Sequence, residues 1–201
     1  MIPRAHITAW RASAPWPQDE QVEQDLVLSR ALTAIFSRPS LREALAFRGG
    51  TALHKLRFDP PGRYSEDLDL VQVEAGPIGP VLAELREVLD PWLGVPAWGQ
   101  RADSVKLLYR FETTALPVQR MRVKVEINTR EHLSVDGLQH VPFAVTSPWH
   151  SADELVTTAA SVLNDLHHFV VEHEIVDIPD GGACRVRKTP GFLRWAFAMI
   201  D

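Results

Sequence analysis

FRGGTALHKLRFDPPGRYSEDLDLV, residues 47–71, joins a glycine bend to acids inside an otherwise apolar strand. Leu68 and Leu70 predict a buried strand. Side chains two residues apart on a strand share a face, so Asp67 and Asp69 project together on the opposite side. If the two carboxylates are about 6 Å apart in an effective dielectric of ~20, they repel each other by roughly 3 kcal/mol. This repulsion favours a raised pKa for one of them or a cation bound between them.

Magnesium suits such a pair, since it takes one or two carboxylates and completes its shell with water and substrate phosphate. A solvated sheet face is the alternative for an isolated Asp-x-Asp pattern. Gly49 and Gly50 bear on that choice because they stand at a predicted strand-to-helix turn. A glycine bend at a helix start lets the backbone approach an anion such as phosphate, although a plain tight turn has the same sequence.

RVKVEINTR, residues 122–130, predicts a second strand of the same type. Its valines and isoleucine alternate with polar residues, so Arg122, Lys124 and Glu126 share the other face. Glu126 stands between two apolar neighbours and is a candidate third carboxylate. Taken alone, it would equally be a surface glutamate.

Hydrophobic periodicity divides the rest of the chain into helices and strands. Residues 1–17 have three prolines and no hydrophobic period, which predicts an arm. We predict helices over Asp19–Phe36, from Thr51, over 78–93 and over about 152–168; a short helix or helix plus strand over 39–47; and strands near 68–71, 105–111, 121–127 and 138–146.

Composition limits the class of protein. The chain has 201 residues, 45% of them hydrophobic, and a net charge of −5, so it can form one sizeable core and is not coated with basic charge. A single cysteine, Cys184, excludes an intrachain disulfide framework and a cysteine cluster for zinc. No apolar run is long enough for a membrane span or a secretory signal. We therefore expect a cytoplasmic protein without a membrane partner.

Residues 101–130 depart from this acidic balance, with seven basic side chains against three acids. A local basic face of this kind can bind a phosphodiester backbone in a salt-dependent way. A solvated pair of strands is the alternative.

The order of these motifs resembles the DNA polymerase beta nucleotidyltransferase superfamily. Within it, FRGGTAL, RYSEDLDLV, VKVEI and SPW are most similar to the AbiEii/AbiGii toxin family, which includes the MenT-type toxins. The resemblance covers residues 45 to about 160. It implies an α+β nucleotidyltransferase fold, a mixed sheet flanked by helices. We expect a core with an N-terminal helix over residues 1–146 and a short helical C-terminal region over 147–201.

The resemblance also implies roles for the residues of the motifs. Asp67, Asp69 and Glu126 would hold Mg²⁺, Gly49 and Gly50 would cradle the triphosphate, and Ser65 would lie beside the phosphates. In some relatives the matching serine is phosphorylated by the antitoxin; a turn residue is the alternative for Ser65. Further candidate nucleotide contacts are Thr51, His54, Lys55, Arg63 and Lys124. Solvated helix or turn positions are the alternative for His54, Lys55 and Arg63, and an ion pair with Glu126 for Lys124.

The implied function is that of a toxin paired with an antitoxin protein, which transfers nucleotides from an NTP to RNA, most of all to the 3′ end of tRNA, and so blocks translation. The family pattern also has a helical lysine where Ala159 aligns here, and an Arg-Asp segment near His173–Ile178, where Glu174 stands instead. Two alternatives stay open, the second of them because of this departure and a short C-terminus. One is transfer to a small-molecule or protein hydroxyl; the other is an inactive nucleotidyltransferase fold that serves as a binding module.

Overall fold

The computed structural model describes residues 2–58, 64–132 and 137–159. Its helices are α1 (Arg4–Trp10), α2 (Asp19–Phe36), α3 (Pro39–Ala44), α4 (Gly49–Leu56) and α5 (Gly79–Leu93). Its strands are β1 (Leu45–Arg48), β2 (Asp67–Gln72), β3 (Ala97–Gln100), β4 (Ser104–Glu112), β5 (Arg120–Asn128), β6 (Gln139–Thr146) and β7 (Ser151–Ala159). Among these described helices, none is long and apolar enough to cross a bilayer.

The seven strands form one sheet in the order β3-β4-β5-β2-β1-β7-β6. The β2–β5 and β1–β7 pairs are parallel and the other neighbours are antiparallel. This confirms the predicted mixed sheet flanked by helices. The parallel β2–β5 pair sets the two acidic strands side by side.

Helix α2 is the centre of the hydrophobic core. It has the predicted bounds: Gln18 and Gln21 form a capping box at its start, and it ends before Arg38–Pro39. Its buried face contacts α1, α3 and α5 as well as strands β2, β5, β6 and β7. One helix therefore holds both acidic strands from the same side of the sheet.

The predicted N-terminal arm is wrong for the described part of residues 1–17. Residues 4–10 form α1, and Ile7, Trp10 and Trp16 are buried in the core. The helix has only seven residues, too few to show a period. Trp10 at its end and Trp16 beyond it donate hydrogen bonds to a carboxylate on α2, a contact that the local sequence pattern cannot reveal.

The predicted helix over 152–168 is wrong for its described part. Residues Ser151–Ala159 form β7, which pairs with β6 along its length and with β1 at Ala159. Pairing with two strands outweighs the local helical preference of this segment. Ala159 therefore lies in a strand, not on the helix that the family alignment implied. Residues 160–168, His173–Ile178 and Glu174 lie outside the described residues, and the division at residue 146 stays a prediction.

Candidate active site

Three carboxylates lie on one face of the β2–β5 pair. The register sets Asp69 beside Glu126 and Asp67 beside Lys124. Leu68 and its neighbours on the other face are fully buried, whereas the polar residues are only half-buried. The structure thus brings Asp67, Asp69 and Glu126 together, from two segments more than fifty residues apart in sequence.

Two lysines bind these carboxylates. The Lys124 ammonium lies 2.9 Å from Asp67 Oδ2 and 3.2 Å from Glu126 Oε2. Lys106, directly opposite Glu126 on β4, lies 2.8 Å from Glu126 Oε1. Lys106 was not among the predicted site residues, because its place depends on the β4–β5 register and the sequence does not reveal that register.

Charge and burial shift the pKa values of the site in different directions. The pKa of Asp69 is raised to about 6, chiefly by burial and also by the nearby Asp67 and Glu126, against the opposing effect of Lys124. Burial alone would raise the pKa of Glu126, but the hydrogen bonds and charges of Lys106 and Lys124 lower it. Negative charge is therefore least well compensated at Asp69.

The glycine bend faces Asp69. Gly49 begins α4 with φ of +80°, and a Cβ built on it would lie 2.6 Å from Asp69 Oδ2 and 3.1 Å from Asp69 Cβ. Only glycine can combine this backbone conformation with so close an approach. The start of α4, where the helix dipole is positive, is thus held against the carboxylates.

Gly49→Ala should therefore impair both the fold and the site. The left-handed backbone and the clash with Asp69 predict a loss of about 1–3 kcal/mol in the free energy of unfolding. Chemical denaturation measures this loss. The matched control is Gly79→Ala in α5, where a Cβ meets nothing within 4 Å. Equal stability of the two variants would contradict the close approach of Gly49 to Asp69.

Thr51 and Ser65 connect the glycine bend to the acidic strand. Thr51 Oγ1 lies 2.5 Å from the carbonyl oxygen of Asp67 and 2.6 Å from Ser65 Oγ. A hydroxyl has one proton, so Thr51 donates to the carbonyl and accepts from Ser65. Thr51 is fully buried, which makes it a link between α4 and β2. Ser65 is half-buried at the entrance to β2.

His54 and Lys55 do not point into this site, which corrects their assignment as phosphate contacts. Both side chains are buried around Asp25 of α2. Lys55 Nζ lies 2.6 Å from Asp25 Oδ1, and the indole N–H groups of Trp10 and Trp16 donate to the two oxygens at 2.8 and 3.1 Å. We call these five residues the Asp25 cluster. Arg63 lies outside the described residues.

The Asp25 cluster makes acid destabilise the fold. Burial lowers the pKa of His54, so the ring stays neutral in the folded chain and takes up a proton on unfolding below about pH 6.5. A lowered histidine pKa gives stability that is full above this value and is lost as the pH falls. As the pH falls from 7.5 to 5, His54→Gln should therefore lose less unfolding free energy than the wild type does. Parallel pH profiles of the unfolding free energy measure this difference, with the exposed His140→Gln as the control.

Gln24, next to Asp25, is a second residue that pattern analysis missed. Its amide donates to the carbonyl of Arg122 at 2.8 Å and contacts that of Glu66 at 3.5 Å, and it accepts from the Tyr64 hydroxyl at 2.9 Å. The side chain is fully buried. Gln24 therefore ties the entrances of β2 and β5 together. The sequence does indicate Gln24 in one way, since a glutamine on the apolar face of a predicted core helix must find buried hydrogen-bond partners.

The site contains three carboxylates, but the ammonium group of a lysine lies among them. In the described ranges, no three Asp, Glu, His or Cys side chains gather closely enough to hold a metal ion as they stand. Lys124 lies between Asp67 and Glu126 and takes part of that space. The face can bind cations through its carboxylates and anions through the start of α4, the two requirements for handling a nucleoside triphosphate.

Known proteins share the fold of this chain. A search of the solved structures matches MenT4, a nucleotidyltransferase toxin from Mycobacterium tuberculosis H37Rv, with a TM-score of 0.60 and 20% identity over 89% of this chain and 61% of that one. JHP933 from Helicobacter pylori matches with a TM-score of 0.47 and 13% identity over 75% of this chain and 56% of that one. The chain thus spans about three fifths of the length of these two proteins. No curated protein matches its sequence.

A family model settles the relationship. It is described as nucleotidyl transferase AbiEii toxin of type IV toxin–antitoxin systems, and it matches residues 30–174, well over half of the chain. The matched region includes every residue of the acidic face and of the glycine bend. The chain belongs to the AbiEii family of nucleotidyltransferase toxins.

Proposed function

We propose that this protein is a magnesium-dependent nucleotidyltransferase that adds nucleotides from an NTP to RNA, most of all to the 3′ end of tRNA, and so blocks translation. The antitoxin that its family implies would counter this activity, and the cytoplasm, where NTPs and tRNA occur, would be its location. One observation carries the proposal: Asp67, Asp69 and Glu126 share a sheet face beside the Gly49 bend.

The donor residues fit a divalent cation. Asp67 and Asp69 offer hard oxygen ligands, and Asp69 has a pKa raised to about 6, mainly by burial, with the neighbouring acids adding to it. A cation would relieve that unfavourable charge. We assign Mg²⁺ to Asp67 and Asp69, with Glu126 completing the set. Bound there, the metal would supply stabilisation of the charge that develops on the attacking and leaving oxygens.

The triphosphate would lie against the start of α4. Gly49 and Gly50 leave room for its oxygens, and the positive end of the helix favours them. Lys124, whose ammonium binds Asp67 and Glu126, would also offset the charge of the phosphates. Ser65 would stand at the same entrance, and Thr51 would keep α4 and β2 aligned through its two hydrogen bonds.

Glu126 would accept the proton of the attacking hydroxyl. The lysines that lower its pKa, against the raising effect of burial, keep it ionised at neutral pH, the form that a proton acceptor requires. The hydroxyl attacks the α-phosphorus, a phosphorus–oxygen bond to the acceptor forms, and the bond to the departing pyrophosphate breaks. The protein mainly positions these groups and offsets their charge.

A labelling experiment tests the proposal. The protein is incubated with magnesium, each α-³²P NTP in turn, and total RNA, and the products are separated by size and by protease or nuclease treatment. Label in the tRNA band supports the proposal. Label on protein or on a small molecule supports transfer to another hydroxyl, and no label with any nucleotide supports an inactive binding module.

A further inference from the structure

Arg110 and Arg122 form an opposed pair on the open face of the sheet. The β4–β5 register sets them directly opposite each other, and both are exposed. Like charges directly opposite on neighbouring strands repel and destabilise the sheet. We call these two residues the arginine pair.

Neither guanidinium has a partner that would offset the repulsion. Within the described ranges, no acid lies within ion-pair distance of Arg110 or Arg122, and no hydrogen bond engages either side chain. The next pair on this face of the same strands has opposite charges, since Arg120 Nε lies 3.8 Å from Glu112 Oε1. An anion bound between the two guanidinium groups would relieve the repulsion.

The arginine pair adjoins the carboxylates. Arg122 and Lys124 share a face of β5, and Lys124 is level with Asp67 of β2. Two residues of a strand span ~7 Å. A phosphate group on the arginine pair would thus lie about that far along the sheet from the level of Asp67.

The arginine pair and the glycine bend lie on opposite sides of the acids. The sheet order runs β4-β5-β2-β1, so the arginine pair is on the β4–β5 side and Gly49 follows β1 on the other. In-line transfer needs the attacking hydroxyl and the leaving pyrophosphate on opposite sides of the reacting phosphorus. With the triphosphate at Gly49 and Gly50, the arginine pair is on the side of the acceptor.

We propose that Arg110 and Arg122 bind a backbone phosphate of the acceptor strand, next to its reactive terminal hydroxyl. This inference rests on the proposed function and deepens it. It identifies the acceptor as a phosphodiester strand that lies along β4 and β5, and it excludes an uncharged small molecule as the main substrate. The arginine pair does not hold the triphosphate.

Salt-dependent binding tests the assignment. The probe is a short fluorescein-labelled single-stranded oligoribonucleotide with a free 3′-hydroxyl, measured with the full chain by anisotropy over a series of KCl concentrations. Arg110→Gln/Arg122→Gln should weaken binding at least ~10-fold at low salt and reduce the slope of log K against log [salt] by about 1.4, the value for two lost contacts to a single strand. Affinity for Mg·NTP, from equilibrium dialysis, should be unchanged.

Arg4→Gln/Arg38→Gln is the matched control, since it removes the same charge from two exposed positions on the helical side of the molecule. Equal losses of RNA affinity in both double variants would overturn the proposal, because net charge would then explain binding. Loss of NTP affinity in the Arg110/Arg122 variant would also overturn it and assign the arginine pair to the triphosphate, while leaving the proposed function intact. Failure of the proposed function itself would show as label on another acceptor with the wild type.

Discussion

Replacing Asp69 by asparagine should reduce nucleotide transfer by at least ~10³-fold without destabilising the metal-free fold. The carboxylate is assigned to the metal, whose stabilisation of developing charge amounts to several kcal/mol, and ~4 kcal/mol corresponds to this loss. Transfer of α-labelled nucleotide to RNA measures it. Asp67→Ala should lose activity to a similar extent.

The stability of Asp69→Asn separates a catalytic effect from misfolding. The folded pKa of Asp69 is raised to about 6, chiefly by burial, with further contributions from Asp67 and Glu126. A carboxyl with a raised pKa favours the fold at low pH and opposes it above that value, since ionisation is then easier in the unfolded chain. At pH 7 the neutral amide should therefore melt at or above the wild-type temperature.

The control for this variant is Asp103→Asn, an exposed acid in the turn before β4. It changes the net charge by the same amount and is not a residue of the acidic face, so it should keep wild-type transfer. Normal transfer by Asp69→Asn would refute the metal assignment. A lowered melting temperature for the same variant would instead show that the carboxylate supports the fold.

The alternation of apolar and polar residues is what made the acidic face predictable. Leu68 and Val125 had to be buried, so Asp67 and Glu126 had to face the other way, whatever the topology. Whether they lie side by side depends on the register of the parallel β2–β5 pair, and that register depends on the whole sheet. Here the family resemblance supplied what the residue pattern did not.

Other features escaped prediction for the same physical reason. His54 and Lys55 are basic residue types that follow a glycine bend, and this local sequence favours phosphate contacts. Their partner Asp25 lies some thirty residues away on α2, and only the packing of α2 against α4 reveals it. The short edge strand β3 has no alternating pattern, since all four of its residues are exposed. Long-range pairing, not local preference, sets these positions.

Asp25→Ala should cost about 3–5 kcal/mol of the free energy of unfolding, the largest stability effect that we expect from a single change. Although burial by itself raises the pKa of Asp25, Lys55 and the other hydrogen-bond donors hold that pKa far below its usual range, so the folded chain keeps a buried anion. Removing it leaves the Lys55 ammonium buried without a counter-charge, and breaking a buried pair has about this cost. Urea unfolding measures it. Glu87→Ala, which breaks the exposed pair with Arg38, should cost less than about 1 kcal/mol.

A double variant distinguishes the ion pair from simple packing. Asp25→Leu/Lys55→Met removes both charges and keeps apolar volume, so it should recover a large part of the stability lost in Asp25→Ala. Equal instability of the two variants would show that the tryptophan hydrogen bonds, rather than the pair, hold the cluster. Because Lys55 lies on α4, about one and a half turns after the glycine bend, loosening the cluster should also weaken NTP binding before the protein unfolds. A stably folded Asp25→Ala protein with unchanged NTP affinity would mean that α4 keeps its place through Thr51 and Asp67 alone.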